Sequence, residues 1–315
     1  DFILLIGSNP RYEATILNAR IRKSYIQNKT KIISLNESGD LTYPYESLDG
    51  DTQNIKNIIE DNHEISNLIK ASQKPLIIFG QSVLKSNSAK YIFESMKSFL
   101  NKNNKISNEW NSLNIISENA STVGSFDLGL YKTENGSNEV LKRLENNEFE
   151  IIYLLGQDNL RFKKKNEFII YQGSHGDRGA EMADIILPGA AYTEQNGYFT
   201  NLEGKMQKAY KASFPPELAK EDWLIINELA ESMNHRKLFN DKDELDSSLL
   251  NQIKLYIEKD NLKKITNVND LNFSKEILKI KTDDYYYSNV IARASKTMFE
   301  CKNAKTNLKS TGTEG

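Results

Sequence analysis

The chain has 315 residues and a mass of 36.0 kDa, room for two hydrophobic cores when domains mostly run about 100–200 residues. Hydrophobic residues make up 38% and charged residues 27%, a soluble globular balance, and no apolar run approaches the roughly 20 residues that cross a bilayer. The 41 basic and 43 acidic residues leave a net charge of −2 and no basic stripe for nucleic acid, and the single cysteine, Cys301, excludes an internal disulfide, a four-thiolate iron–sulfur cluster and a Cys-rich zinc site.

FILLIG (2–7) is a short apolar run closed by glycine, the pattern of a buried strand rather than of a signal peptide, which would begin with a basic region. The spacing predicts a helix over EATILNARIRKSYI (13–26) and a second strand at KIISL (31–35), a β-α-β unit with a right-handed parallel crossover. A core strand at position 2 points to partner strands upstream and hence to a longer parent chain. Residues 36–51, NESGDLTYPYESLDGD, are turn-rich, and a polar helix is expected at 53–71. KPLIIFG (74–80) is the cleanest strand, entered through Lys74-Pro75 and left at Gly80, with a helix following at 86–101. Further strands are predicted at IIYLLG (151–156), EFIIYQG (167–173) and ADIILPG (183–189). Near-continuous apolar strands that end in Gly or Pro and alternate with helices or short loops define an α/β protein with a doubly wound parallel sheet. Ligands of such sheets sit at the carboxyl ends of the strands, here Gly7, Gly80, Gly156, Gly173 and Gly189.

After residue 190 the pattern changes to turns and short strands. AKEDWLIINELAESM (219–233) is an amphipathic helix with Glu221 and Asp222 in its first turn, where the helix dipole favours them. Its apolar face carries Trp223, Ile226, Leu229, Ala230 and Met233. Residues 236–282 are charged and irregular, with a helix at 246–259, and the stretch after 302 is polar.

GSNPRYEA (7–14) joins a strand to a helix, and its backbone N–H groups can face a phosphate. It is neither G-x-G-x-x-G nor a P-loop. The plainer reading is a helix start with Asn9 as N-cap and Pro10 at the first helical position. His175 and Asp177 follow a strand, where a histidine can shuttle protons or ligate, or simply hydrogen-bond to backbone. His63 and His235 share no ligand spacing with it. Asp184 and Glu194 show no pairing as acid and base. Tyr285, Tyr286 and Tyr287 fit either a docking surface or a tail that covers its own domain. Cys301 reads as an inert thiol. No nucleophile, base and acid fall into order.

The stretch GSHGDRGAEMADIILPGAAYTEQNGYFTNLEGKMQ (173–207) resembles the molybdopterin-oxidoreductase family, and within it the family of large iron–sulfur subunits of respiratory complex I. LLIGSNPRYEATILNARIRKSY (4–25), LTYPYESLDGD (41–51), KPLIIFGQSVL (74–84), EWNSLNII (109–116), LAKEDWLIINELAE (218–231) and YYYSNVIARASKTMFEC (285–301) fit in order. Ser174 stands where that family often has a second His, and Lys205 where it often has Arg.

The resemblance implies two Rossmann-like lobes of the molybdopterin-oxidoreductase fold, of formate dehydrogenase/DMSO reductase type. Residues 1–73 would complete a first lobe begun upstream, and 74–189 would form a second. Residues 190–234 would pack on both, and 235–315 would wrap the surface as a helical and extended tail. The implied function is a structural scaffold in the peripheral arm of NADH:ubiquinone oxidoreductase, non-catalytic in itself. It would brace the iron–sulfur part during electron transfer from NADH to quinone. The 2Fe-2S and 4Fe-4S clusters would lie on an N-terminal half outside this sequence. Gly7, Ser8, Asn9, Pro10, Arg11, Gly173, His175, Asp177 and Arg178 would be vestigial positions of a pterin pocket with no cofactor and no metal. Partners would be that iron–sulfur half and other peripheral-arm subunits, the flavoprotein and the quinone-module subunits, with no nucleic acid and no direct membrane span. The location implied is the matrix side of the mitochondrial inner membrane, or the cytoplasmic face of a bacterial inner membrane. The alternative is a fragment of a catalytic molybdopterin oxidoreductase of the formate dehydrogenase kind.

Overall fold

Every residue of Phe2–Ile6 is apolar, and in the computed structural model this strand, β1, is buried throughout. The structure describes the chain except residues 118, 121, 131–136, 158, 159, 161, 177, 234, 235, 258–267, 269, 270, 281–286 and 309–315, and of 137, 138, 254–257 and 305–308 it describes the backbone alone. The chain divides into two compact units, Asp1–Thr122 with Asp260–Thr282, and Val123–Lys259 with Asp283–Gly315.

The first unit is a five-stranded parallel sheet. In chain order its elements are β1, α1 (Pro10–Glu13), α2 (Thr15–Asn28), β2 (Lys31–Leu35), β3 (Glu46–Leu48), α3 (Thr52–Ile59), α4 (Glu64–Ala71), β4 (Pro75–Phe79), α5 (Gln81–Leu84), α6 (Ala89–Lys102) and β5 (Leu113–Ile115). The strand order is β3-β2-β1-β4-β5. The β1 strand pairs in parallel with β2 on one side (Leu4 opposite Ile33) and with β4 on the other (Leu4 opposite Ile77).

Alternate residues of β1 face opposite cores. Phe2, Leu4 and Ile6 join Ile55, Ile65, Ile69, Ile92 and Met96 from α3, α4 and α6. Ile3 and Leu5 join Ile21 of α2 with Leu41 and Tyr43 of the following loop. Both faces are therefore covered, which is why the strands read as continuous apolar runs. Each fully buried Leu or Ile contributes roughly 1.5–3 kcal/mol relative to exposure.

Two sequence expectations change here. The boundary expected at residue 73 is not a lobe boundary, because β4 is hydrogen-bonded to β1 at the centre of the same sheet. For the same reason β1 does not lack neighbours, and it gives no argument for strands upstream. The helix expected at 53–71 is two helices. The chain turns at Asp61, whose φ is 65°, and His63 caps α4 by accepting the Ile65 N–H at its Nδ1, 3.2 Å away.

The second unit contains α7 (Thr122–Asp127), α8 (Ser137–Glu145), β6 (Ile151–Leu155), β7 (Phe168–Gly173), α9 (Arg178–Met182), β8 (Ile185–Pro188), β9 (Gly197–Thr200), β10 (Met206–Ala209), α10 (Asp222–Ser232), α11 (Lys242–Ile257), α12 (Val290–Ala294) and α13 (Lys296–Leu308). Strands β6-β7-β8 form a parallel sheet, and β9 and β10 an antiparallel hairpin with Lys205 exposed at its tip. Leu154, Ile169 and Tyr171 form the core on one face of the sheet, with Leu160, Phe162 and Ala180 against them.

The apolar face predicted for α10 does not turn into the core. Its buried residues are Ile225 and Asn227, while Ile226, Leu229, Ala230 and Met233 line an open groove of about 390 Å³ with Arg236 and Leu238. Asn227 decides the orientation: it accepts the Leu238 N–H at 2.7 Å and donates to the Phe239 carbonyl at 2.8 Å, tying the helix to the following turn.

The tail expected to wrap the surface from 235 to 315 is shared between the units. Its segment 271–280 lies on the first unit, where Leu278 is buried in the core.

Candidate functional site

The strand order reverses between β1 and β4, and in an open parallel sheet the ligand crevice lies at that point, beyond the carboxyl ends. Gly7 and Gly80 stand there. Gly7 has φ of 58°, a conformation costly for residues with a Cβ, and a Cβ on it would lie 2.2 Å from Ser82 Oγ. That hydroxyl donates to the Gly7 carbonyl at 2.5 Å. A Cβ on Gly80 would meet the Gly7 carbonyl oxygen at 2.2 Å, so the loops after β1 and β4 pack backbone against backbone.

The rest of the turn is held by the chain itself. Pro10 opens α1 and Asn9 precedes it, as read from the sequence, but the Asn9 side chain does not cap the helix. Glu13 reaches back instead and accepts the Asn9 N–H at 2.6 Å. The Asn9 amide donates to the Ser38 carbonyl at 2.8 Å, and Ser38 Oγ donates to the Ser8 carbonyl at 3.0 Å. Arg11 donates to the Asp40 carboxylate at 2.7 Å and to the Asp40 carbonyl at the same distance. The Thr42 N–H, and after it Arg11, hold the Asp40 carboxyl below its usual range. Ser8 Oγ, Asn9 Oδ1 and Asn36 Oδ1 are buried with no hydrogen-bond partner among the described residues.

In the second unit, Gly173 ends β7, and a Cβ there would collide with the Tyr171 hydroxyl at 2.2 Å. That hydroxyl donates to the His175 carbonyl at 3.0 Å, and His175 Nδ1 lies 2.9 Å from Ser174 Oγ. Gly179, in α9, lets the Tyr171 ring approach, since a Cβ there would stand 2.8 Å from it. Arg178 is the first residue of α9. Asp177 lies outside the described residues, as do His235, Tyr285 and Tyr286.

The sequence reading missed a polar network at this carboxyl end. Gln172 is fully buried, and its amide donates to Asp222 Oδ1 at 2.8 Å. Gln195 donates to Asp222 Oδ2, also at 2.8 Å, and accepts the Asp222 N–H at 3.2 Å. The Tyr153 hydroxyl donates to Gln172 Oε1. Burial, and after it the Asp222 charge, raise the Tyr153 pKa. From the sequence Asp222 shows only the position of a helix-dipole residue. Its partners lie 27 and 50 residues away, beyond any local spacing.

The predicted positions thus fall into two groups, Gly7–Arg11 in the first unit and Gly173–Arg178 in the second. Among the described residues no three His, Cys, Asp or Glu side chains gather as metal ligands, and Cys301 is exposed on α13.

The parallel sheet with glycine turns at its switch point, followed by the β7–α9 turn and the β9–β10 hairpin, defines a class. Residues 1–232 match the molybdopterin oxidoreductase family, and the chain belongs to it. Residues 256–301 match a second family, the C-terminal region of the G subunit of NADH-ubiquinone oxidoreductase. The chain is 37% identical over 311 residues to the NADH-ubiquinone oxidoreductase 75 kDa subunit of Reclinomonas americana, covering 96% of this chain and 44% of that protein. It is 37% identical to the NADH-quinone oxidoreductase G subunit of Rickettsia bellii, covering 99% of this chain and 45% of the relative. It is 33% identical to the mitochondrial NADH-ubiquinone oxidoreductase 78 kDa subunit of Candida albicans, covering 96% and 42%. The chain therefore spans less than half the length of these curated relatives.

Proposed function

We propose that this chain is the scaffold part of the large iron–sulfur subunit of an NADH:quinone oxidoreductase. It braces the cluster-bearing part and the neighbouring peripheral-arm subunits while electrons pass from NADH to quinone through other domains. The observation that carries the reading is Arg11. The cation best placed by sequence to meet a cofactor phosphate is bound to the carboxylate and carbonyl of Asp40. A guanidinium engaged in this way offers a phosphate fewer donors, and the Asp40 charge opposes an anion. These residues do not fit a pterin dinucleotide.

The same reading places 2Fe-2S and 4Fe-4S clusters on the part of the protein that this chain does not span, since Cys301 is the chain's single cysteine. It places the assembly on the matrix side of the mitochondrial inner membrane or on the cytoplasmic face of a bacterial one. No described helix is long and apolar enough to cross a membrane.

A second reading, a fragment of a catalytic molybdopterin oxidoreductase, is favoured by one observation, the unpartnered Ser8 Oγ, Asn9 Oδ1 and Asn36 Oδ1 at the switch point. Elemental analysis and pterin extraction of the purified native complex decide between the two. The scaffold reading expects iron without molybdenum, tungsten or pterin. Stoichiometric molybdenum or tungsten with pterin would overturn it.

A further inference from the structure

The segment 273–278 crosses the carboxyl ends of four strands of the first unit. It belongs to the stretch that matches the second, C-terminal family, not to the molybdopterin oxidoreductase match. Leu278 is 3% exposed, and its Cδ1 lies 3.1 Å from the place a Cβ on Gly7 would take. Its N–H donates to the Gly50 carbonyl after β3 at 2.8 Å, and its carbonyl accepts from the Asn36 amide after β2 at 2.7 Å.

The same segment takes up the free donors around two helix starts. At α3, the Thr52 N–H donates to the Glu276 carbonyl at 2.9 Å, Thr52 Oγ1 donates to the Ser274 carbonyl at 3.0 Å, and Thr52 Oγ1 accepts the Glu276 N–H at 2.9 Å. Just before α6, the Asn87 N–H donates to the Glu276 carboxylate at 2.8 Å. Ser88 Oγ accepts the Ser274 N–H at 2.8 Å and donates to the Ser274 carbonyl at 2.9 Å. Phe273 is anchored edge-on to Tyr91, with ring centres 5.2 Å apart, and lies under Lys56 at 4.8 Å.

Free N–H groups at such helix starts are what a doubly wound sheet presents to phosphate. Here the carbonyl and the carboxylate of Glu276 accept the N–H groups of Thr52 and Asn87, and a leucine fills the space beside the glycine turn. We propose that residues 273–278 are an intramolecular ligand of the first unit: an extended peptide that occupies the carboxyl-end crevice and closes it to phosphate-bearing molecules. The added C-terminal segment is then what converts a nucleotide-type lobe into a closed structural one. The assignment rests on the strap's contacts and stands whether or not the scaffold reading holds.

The test is hydrogen exchange on the full chain, read by mass spectrometry with and without inorganic pyrophosphate. Leu278→Ser should speed exchange in peptides covering Thr52 and Asn87 by roughly tenfold or more while β1 and β4 stay protected. Ile277→Ser, at a side chain that is 70% exposed, should leave them unchanged. If Leu278→Ser unfolds the unit, Glu276→Ala, which removes the acceptor of the Asn87 N–H, gives the same reading confined to Asn87. Unchanged protection in both variants would overturn the proposal. With wild-type protein, pyrophosphate should not bind. Saturable binding with the strap still protected would also overturn the proposal, since the crevice would then be open beside it. Binding that strips the protection of residues 273–278 would show that phosphate displaces the segment, and would overturn the proposed closure together with the cofactor-free reading.

Discussion

The two parallel sheets are written in the same sequence style and are covered differently. In the first unit both faces of β1 and β4 are covered by helices and loop of the same unit. In the second, the register aligns Tyr153, Ile170 and Ile185 on one face, with Ile151 and Phe168 beside them. On that face Ile151 is 64%, Leu155 52% and Ile185 45% exposed. An apolar strand thus states that both its faces tend to be buried, but not what buries them. The first unit contains its own cover. The second covers one face only in part, since Ile186 opposite Tyr171 stays exposed, and is fastened at its carboxyl end by the polar ties around Asp222.

The strongest way to sharpen this contrast is Phe79→Ala in β4. Phe79 is fully buried between helices, and its loss should cost about 3–5 kcal/mol in chemical denaturation. Next comes Asp222→Ala, which removes the carboxylate that accepts from Gln172 and Gln195 and leaves the buried Gln172 amide only the residue 222 carbonyl at 3.2 Å. It should cost about 1–3 kcal/mol and speed exchange near Gly189 and β7 without affecting the first unit.

A smaller effect is expected in acid. Asp184 accepts the Ile169 N–H at 2.8 Å and the Lys164 ammonium at 2.6 Å, and these bonds, the backbone one foremost, hold its pKa below the usual value. A carboxyl with a depressed folded pKa stabilises fully above its unfolded value of about 3.9. That contribution is lost as pH falls through the lower folded value. The stability gap between wild type and Asp184→Asn should therefore be constant near neutrality and close in acid. A gap that persists in acid would show that Asp184 acts by packing.

The smallest effect is Leu155→Ala on the open face of the second sheet, within about 0.5 kcal/mol for this chain alone. A cost near that of Phe79→Ala would break the contrast, because it would mean that Leu155 is covered.

Much of the first unit was legible. The strands at 2–7, 31–35 and 74–80 fall on apolar runs, the first and last closed by Gly, and the left-handed turn at Gly7 follows from its place after a strand. What the pattern could not give was pairing. The apolar runs at Phe2–Ile6 and Pro75–Phe79 carry no mark that they are neighbours, so the sheet was divided at residue 73. The face of α10 failed for a related reason. Helical spacing named its apolar stripe, but Asn227, bonded to the turn at 238–239, fixed which side turned inward.

The sequence alone therefore determined local matters: where strands and helices lie, which turns require glycine, and that a single cysteine cannot carry clusters. These depend on backbone sterics and on periodicities a few residues long. Tertiary structure alone decided that β4 joins β1, that Arg11 meets Asp40, that Gln172 and Gln195 share Asp222, and that Leu278 closes the turn at Gly7. Those contacts form between groups 27 to 271 residues apart, or through backbone amides that every residue possesses, and no short sequence pattern encodes either.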